Sequence, residues 1–164
     1  MKITVATQEQ LSIVKQLAQD IWYVAYKDII STDQIDYMLN MMYSIVSLEK
    51  QYQNNHVFLL VQDTDSFIGY ASYELNFEPT HKTKIHKLYV LPHWQSKGVG
   101  KLLLDEITHT AKRSNQESLI LNVNKYNTAV HFYQKVGFSI AHSTLVDIGN
   151  SYVMDDYVME LKIQ

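Results

Sequence analysis

The chain has 164 residues, enough for one compact domain and too few for two enzyme-sized cores. A composition of 46% apolar and 19% charged residues excludes disorder, and a net charge of −3 with Arg113 as the only arginine excludes a duplex-binding basic stripe. Cysteine is absent, which excludes disulfides, thiolate metal sites and a cysteine nucleophile and fits a reducing compartment.

Residues 1–6 alternate Ile3 and Val5 with polar neighbours and predict a short strand, which runs into Gln8-Glu9-Gln10 without the apolar stretch of a signal peptide. Thr7 with Gln10 forms a capping-box pair that opens a helix through Leu11, Val14, Leu17, Ile21 and Val24. Ser31 with Gln34 opens a second, with Ile35, Met38, Leu39 and Met42 on its apolar face, and residues 44–53 predict a short third helical segment. At His56 the period changes. Residues 57–62 and 67–77 predict an antiparallel hairpin around Asp63-Thr64-Asp65-Ser66.

The longest apolar run, 57–61, is far too short to cross a bilayer, so a cytoplasmic protein without a membrane partner is expected. Residues 83–90 predict a strand, 98–113 an amphipathic helix through Val99, Leu102, Leu103, Ile107 and Ala111, and 118–123 another strand. Asn127 precedes a helix at 128–135, Gly137 supplies its left-handed stop, and 138–148 and 152–162 pair around Gly149-Asn150. Without repeats or a linker, the expectation is a single α+β domain over 1–164, built on a mixed sheet.

Gln95-Ser96-Lys97-Gly98-Val99-Gly100 stands between a predicted strand and a strong helix, where free first-turn amides and the helix dipole favour a phosphate. A phosphate-binding P-loop would need glycine at 95 and Ser or Thr at 102, where Gln95 and Leu102 stand; a dinucleotide fingerprint would need Gly or Ala in place of Leu103. One strand and one loop later come Asn127, Ala129, Phe132-Tyr133 and Gly137-Phe138. Taken together, the two motifs resemble the GNAT superfamily of N-acetyltransferases. The resemblance runs in order from the Thr7 helix through Phe67-Ile68-Gly69-Tyr70 and Leu88-Tyr89-Val90-Leu91-Pro92 to the terminal strands, and is weakest over residues 20–55. The Ile21-Trp22 helix and the ending Asp155-Asp156-Tyr157-Val158-Met159 look similar to the PaiA-type polyamine acetyltransferases.

This resemblance implies a mostly antiparallel sheet flanked by helices, acetyl-CoA as acyl donor, and direct attack by a primary amine in a ternary complex. The acceptor would be a small cationic amine such as a polyamine, or a peptide N-terminus. It places the pyrophosphate at Gln95, Lys97, Gly98, Val99, Gly100 and Lys101, although arginine is the commoner family residue where Gln95 stands. Lys97 and Lys101 read equally as solvated lysines. The pantetheine arm falls to backbone groups of Leu88 and Val90 and to Asn127, which as a helix N-cap already has a structural reason to be there.

Tyr133 matches the family's tyrosine beside the thioester sulfur, with core packing as the competing role. His86 is the first choice of base, Glu74 the second, and a water relay the third. Asp33, Asp36, Asp155 and Asp156 are candidate attractors of a cationic amine. No metal is expected, since His81 and His86 lack ligand spacing with a carboxylate. A non-catalytic acyl-CoA-binding regulator on the same fold is the alternative reading, and apolar terminal strands make a homodimer a candidate assembly.

Overall fold

The computed structural model describes residues 1–164. It begins with β1 (Lys2–Val5), a 3-10 turn (Gln8–Gln10) and α1 (Leu11–Ala25). The Thr7 amide donates to Gln10 Oε1 at 3.0 Å, so the helix starts where that pair predicts. Serine side chains start the next two helices: Ser31 Oγ accepts from the Gln34 amide ahead of α2 (Thr32–Tyr43), and Ser44 Oγ from the Ser47 amide ahead of α3 (Ile45–Gln53).

The rest of the chain is β2 (Val57–Asp63), β3 (Ser66–Glu74), β4 (Lys82–Val90), α4 (Val99–Arg113), β5 (Ser118–Asn124), α5 (Ala129–Lys135), β6 (Ser139–Gly149) and β7 (Tyr152–Lys162). Seven strands form one sheet in the order β1-β2-β3-β4-β5-β7-β6, in which only β4 and β5 run parallel. The fold is α+β with a mixed, mostly antiparallel sheet. Asn150 and Ser151, at φ 53 and 62, supply the two left-handed residues of the tight turn joining β6 to β7.

Both faces of the sheet are covered at β2, which explains its unbroken apolar run. Leu59 and Val61 pack with Leu103 and Ile107 of α4, while Phe58 and Leu60 pack with α1, α2 and α3. Each such side chain, fully removed from water, contributes about 1.5–3 kcal/mol. Two apolar positions expected on helix faces lie outside: Leu102 is 38% and Val24 51% exposed. Leu104 takes the inward place in α4, because its buried stripe runs 99, 103, 104, 107, 111.

Two features of β4 position the site. Its ladder to β5 covers only Lys82–Ile85 against Ser118–Leu121, whereas its ladder to β3 continues to Val90. From His86 onward β4 and β5 therefore part. The second feature is a register shift in the β3–β4 ladder, where Ser72 faces Lys87 and Tyr73 faces Ile85, leaving His86 as the extra residue of a bulge.

Candidate active site between the parted strands

The parting exposes backbone. Leu91 N–H donates to Ile68 O on β3 at 2.9 Å, and because amides alternate along a strand, those of Leu88 and Val90 point away from β3, into the opening. The Val90 carbonyl accepts from Gln95 Nε2 at 3.2 Å, so the side chain of Gln95 is tied to the strand end. A cavity of about 1030 Å³ fills the opening, with Leu88, Val90 and Gln95 on its wall.

The first turn of α4 closes one end of this cavity. No side chain caps that helix and no acidic residue stands in its first turn, so its free amides and positive dipole end are left for an anion. Gly98 sits there at φ +83, a left-handed backbone that glycine adopts without strain, and a Cβ on it would meet nothing within 4 Å. A pyrophosphate fits this cradle. At Gly100 a Cβ would lie 3.5 Å from Phe132 and 3.7 Å from Leu88, ordinary contact distances, so this glycine keeps the cavity floor bare without being forced by strain.

Gly98, Gly100 and Lys101 line the cavity, while Lys97 and Val99 do not. Val99 is buried in the core, so only its backbone could serve a ligand, and Lys97 places its ammonium 4.8 Å from the Trp94 ring centroid. Lys101 Nζ is held by Asp105 at 2.6 Å.

On the β5 side, Asn127 Oδ1 accepts from the Ala129 amide at 2.9 Å, the capping geometry that starts α5. That helix carries Tyr133, 7% exposed, edge-on to Phe132 and Phe138 and on the cavity wall. Burial pushes its phenol well above the usual tyrosine range, with a further push from Tyr26. A hydroxyl that holds its proton so firmly suits donating a hydrogen bond better than releasing a proton.

The other arm of the cavity lies toward α1 and α2 and is walled by Trp22, Tyr26, Met38, Met42 and Tyr43. Tyr26 and Tyr89 join hydroxyls across it at 3.0 Å. The bulge sets His86 and Lys87 together against this arm, and His86 Nε2 lies 3.1 Å from Glu74 Oε2. His56, which no motif singles out and which directly precedes β2, stacks on His86 at 4.0 Å and 13°, with its own Nε2 3.7 Å from Glu74.

Burial, then His56, Lys87 and Lys84, hold His86 down to about 3; burial and Lys87 hold His56 to about 4. Both rings are neutral at neutral pH. The donor atoms of His56, Glu74 and His86 lie within 4.8 Å of one another, the spacing of a metal group. Parallel stacked rings, however, aim their lone pairs side by side rather than at one point, and His56 Nδ1 is buried without the partner that a metal-bound imidazole needs. The arrangement fits a hydrogen-bonded pair, His86 and Glu74, buttressed by His56.

Of the four aspartates singled out in the sequence, only Asp156 reaches the cavity wall. It is 3% exposed, and burial raises its pKa against the pull of Asn122 and Lys84. Asp155 pairs with Lys125 at 2.6 Å, Asp36 accepts from the Tyr23 hydroxyl, and Asp33 stands in the first turn of α2.

This geometry has parallels among known proteins. Residues 13–138 match the family described as the acetyltransferase (GNAT) family. Spermidine N(1)-acetyltransferase of Thermoplasma acidophilum is 24% identical over 153 residues, covering 90% of this chain and 91% of that protein. Ribosomal protein bS18-alanine N-acetyltransferase of Haemophilus influenzae is 26% identical over 110 residues, covering 67% of this chain and 70% of that protein. The crystal structure of PaiA N-acetyltransferase from Thermoplasma acidophilum in complex with coenzyme A superposes with a TM-score of 0.80 at 25% identity, over 99% of both chains. A match across most of the chain, on this fold, means that the chain belongs to the acetyltransferase (GNAT) family and is an acetyl-CoA-dependent N-acetyltransferase.

Proposed function

We propose that the chain transfers acetyl to a primary amine of a small molecule or of a peptide N-terminus, within one ternary complex in the cavity between β4 and β5. The observation that carries this reading is the continuity of the uncapped α4 N-terminus, the open backbone edge of Leu88 and Val90, and the aromatic arm, all on one cavity. Relatives are named for spermidine, a small amine, and for an alanine of a ribosomal protein.

Acetyl-CoA brings an activated thioester whose carbonyl carbon is open to a neutral nitrogen. First-turn amides of α4, among them those of Gly98, Val99 and Gly100, hold the pyrophosphate, with Lys101 beside them and Lys97 nearby. Leu88 and Val90 offer backbone groups to the pantetheine arm, and Asn127 borders its path. Asp156 draws the amine toward the reacting carbon.

The proton that the nitrogen sheds leaves through the His86–Glu74 pair toward solvent; His86, held near 3, hands it on rather than keeping it as an imidazolium. As the C–N bond forms and the C–S bond breaks, the Tyr133 hydroxyl donates a hydrogen bond to the departing sulfur. The thiolate, whose parent thiol titrates near about 8.5, is a weaker base than a phenolate raised this far, so Tyr133 stabilises it and keeps its own proton. The proton lost by the amine ends on CoA thiol or solvent.

Thiol release from acetyl-CoA, measured with a panel of primary amines and checked by mass of the N-acetylated product, tests this reading. Acceptor-dependent release is expected. Tight acetyl-CoA binding with no release for any amine would favour the regulator.

A further inference from the structure

One part of the cavity takes no role in the transfer steps above: the hydroxyl bridge that Tyr26 and Tyr89 make at 3.0 Å. Tyr26 directly follows α1 and Tyr89 lies on β4, so the bond runs from helix to sheet across the arm. Other rings clamp it from behind. Trp22 lies 4.5 Å from Tyr26, and Tyr70, whose hydroxyl donates to Tyr43 at 2.9 Å, is stacked 5.5 Å from Tyr89. Trp22, Tyr43 and Tyr70 are buried, so neither bridging ring can retreat without displacing packed core. Burial holds both phenols above the usual tyrosine range, which keeps the bridge protonated and uncharged at neutral pH.

The neighbours of the bridge relate it to the donor. Tyr89 stands between Leu88 and Val90, whose amides open toward the pantetheine arm. Tyr133, set to meet the sulfur, is close enough to Tyr26 for that residue to push its phenol up. Asp156, set to draw the amine, is on β7, across the opening from β4. A thioester held between β4 and Tyr133 therefore turns its acyl end to the Tyr26–Tyr89 pair. A methyl group stops there. Each further methylene has to part the two hydroxyls, and parting them leaves buried polar groups unpaired. Room for one methylene more or less is worth about 10- to 200-fold in an apolar pocket.

Resting on the acetyl-transfer reading above, we propose that the Tyr26–Tyr89 bridge is the end wall of the acyl pocket and restricts the donor to acetyl-CoA against acyl-CoAs with longer chains.

Calorimetric titration with CoA, acetyl-CoA, propionyl-CoA and butyryl-CoA tests this without any acceptor. The wild-type protein is expected to bind butyryl-CoA about 10-fold or more weakly than acetyl-CoA, with propionyl-CoA between them. Tyr26→Ala should bring butyryl-CoA level with acetyl-CoA or above it, each affinity taken relative to CoA, which carries no acyl group. Tyr26→Phe, which keeps the ring and loses the bond, should relax the preference in part. Thermal melting checks both variants, and if Tyr26→Ala does not melt cooperatively, Tyr26→Phe with propionyl-CoA decides. Equal wild-type affinity for acetyl-CoA and butyryl-CoA, which needs no variant to fold, would overturn the inference, as would an acetyl preference undiminished in the folded variants. Wild-type binding of none of these ligands would instead overturn the placement of the donor and the inference with it.

Discussion

The two ends of the cavity are built from different material. On the proposed donor side, between β4 and α4, the groups open to the cavity are backbone: the amides of Leu88 and Val90, and the uncapped first turn of α4 with Gly98 at φ +83. On the proposed acceptor side, toward α1, α2 and β7, they are side chains: an aromatic and methionine wall, a His86–Glu74 pair, Asp156 and a buried Lys87. The donor is a fixed molecule and a bare backbone suffices for it. An acceptor is told apart from its rivals by shape and charge, which only side chains supply.

The largest effect that would test this difference is at Gly98. Gly98→Asp is expected to abolish measurable acetyl-CoA binding, because a carboxylate would stand where the phosphate goes, while Gly98→Asn, which tolerates a left-handed backbone, should weaken binding far less. Calorimetric titration reads both variants. Equal affinities would mean that the pyrophosphate lies elsewhere.

Next in size is Tyr133→Phe. Turnover should fall by about 10²-fold, the cost of one lost donor to a developing anion, with acetyl-CoA affinity and melting temperature nearly unchanged. Full turnover with chemistry rate-limiting would return Tyr133 to the core, in keeping with its edge contacts to Phe132 and Phe138.

A smaller effect is expected at His86. His86→Ala should slow turnover by about 10-fold near pH 7, with the deficit closing as pH rises and more amine arrives neutral. Because His86 is held near 3, its own titration does not shape the neutral-pH profile. If the deficit were independent of pH, proton removal would belong to Glu74 or to water.

The donor side was far more legible in the sequence than the acceptor side, and for a physical reason. Gly98 and Gly100 are identified by what backbone needs, and the strand and helix around them announce themselves by period 2 and period 3.6, so cradle and fold are both local signals. His86 and Glu74 lie on adjacent strands whose pairing the hairpin pattern predicts. His56 falls beside Glu74 by the register of the β2–β3 hairpin, in which Val57 faces Tyr73, but a single histidine just ahead of a strand carries no signal of its own. Lys87 was hidden by the bulge: simple alternation puts it on the opposite face from His86, whereas the extra residue sets both on one. Nor does a count of aspartates reveal that three of the four are not on the cavity wall.

The smallest effect concerns stability. The folded-state pKa values of His56 and His86 lie below the unfolded value of about 6.5, so as pH falls through 6.5 the unfolded chain takes up protons that the folded chain refuses. Stability is full above 6.5 and lost below it, by up to about 2 kcal/mol per ring at pH 5, since one pH unit corresponds to about 1.4 kcal/mol. His56→Gln should flatten the melting temperature between pH 5 and 6.5; an unchanged slope would mean that this ring is not held neutral.

Amide hydrogen exchange with and without coenzyme A addresses the backbone character of the donor side most directly. Protection is predicted at Leu88 and Val90 and at the first turn of α4 from Gly98 onward, with α2 and α3 unaffected. Protection confined to α1, α2 and β7, with 88–90 and 98–101 exchanging as before, would contradict it.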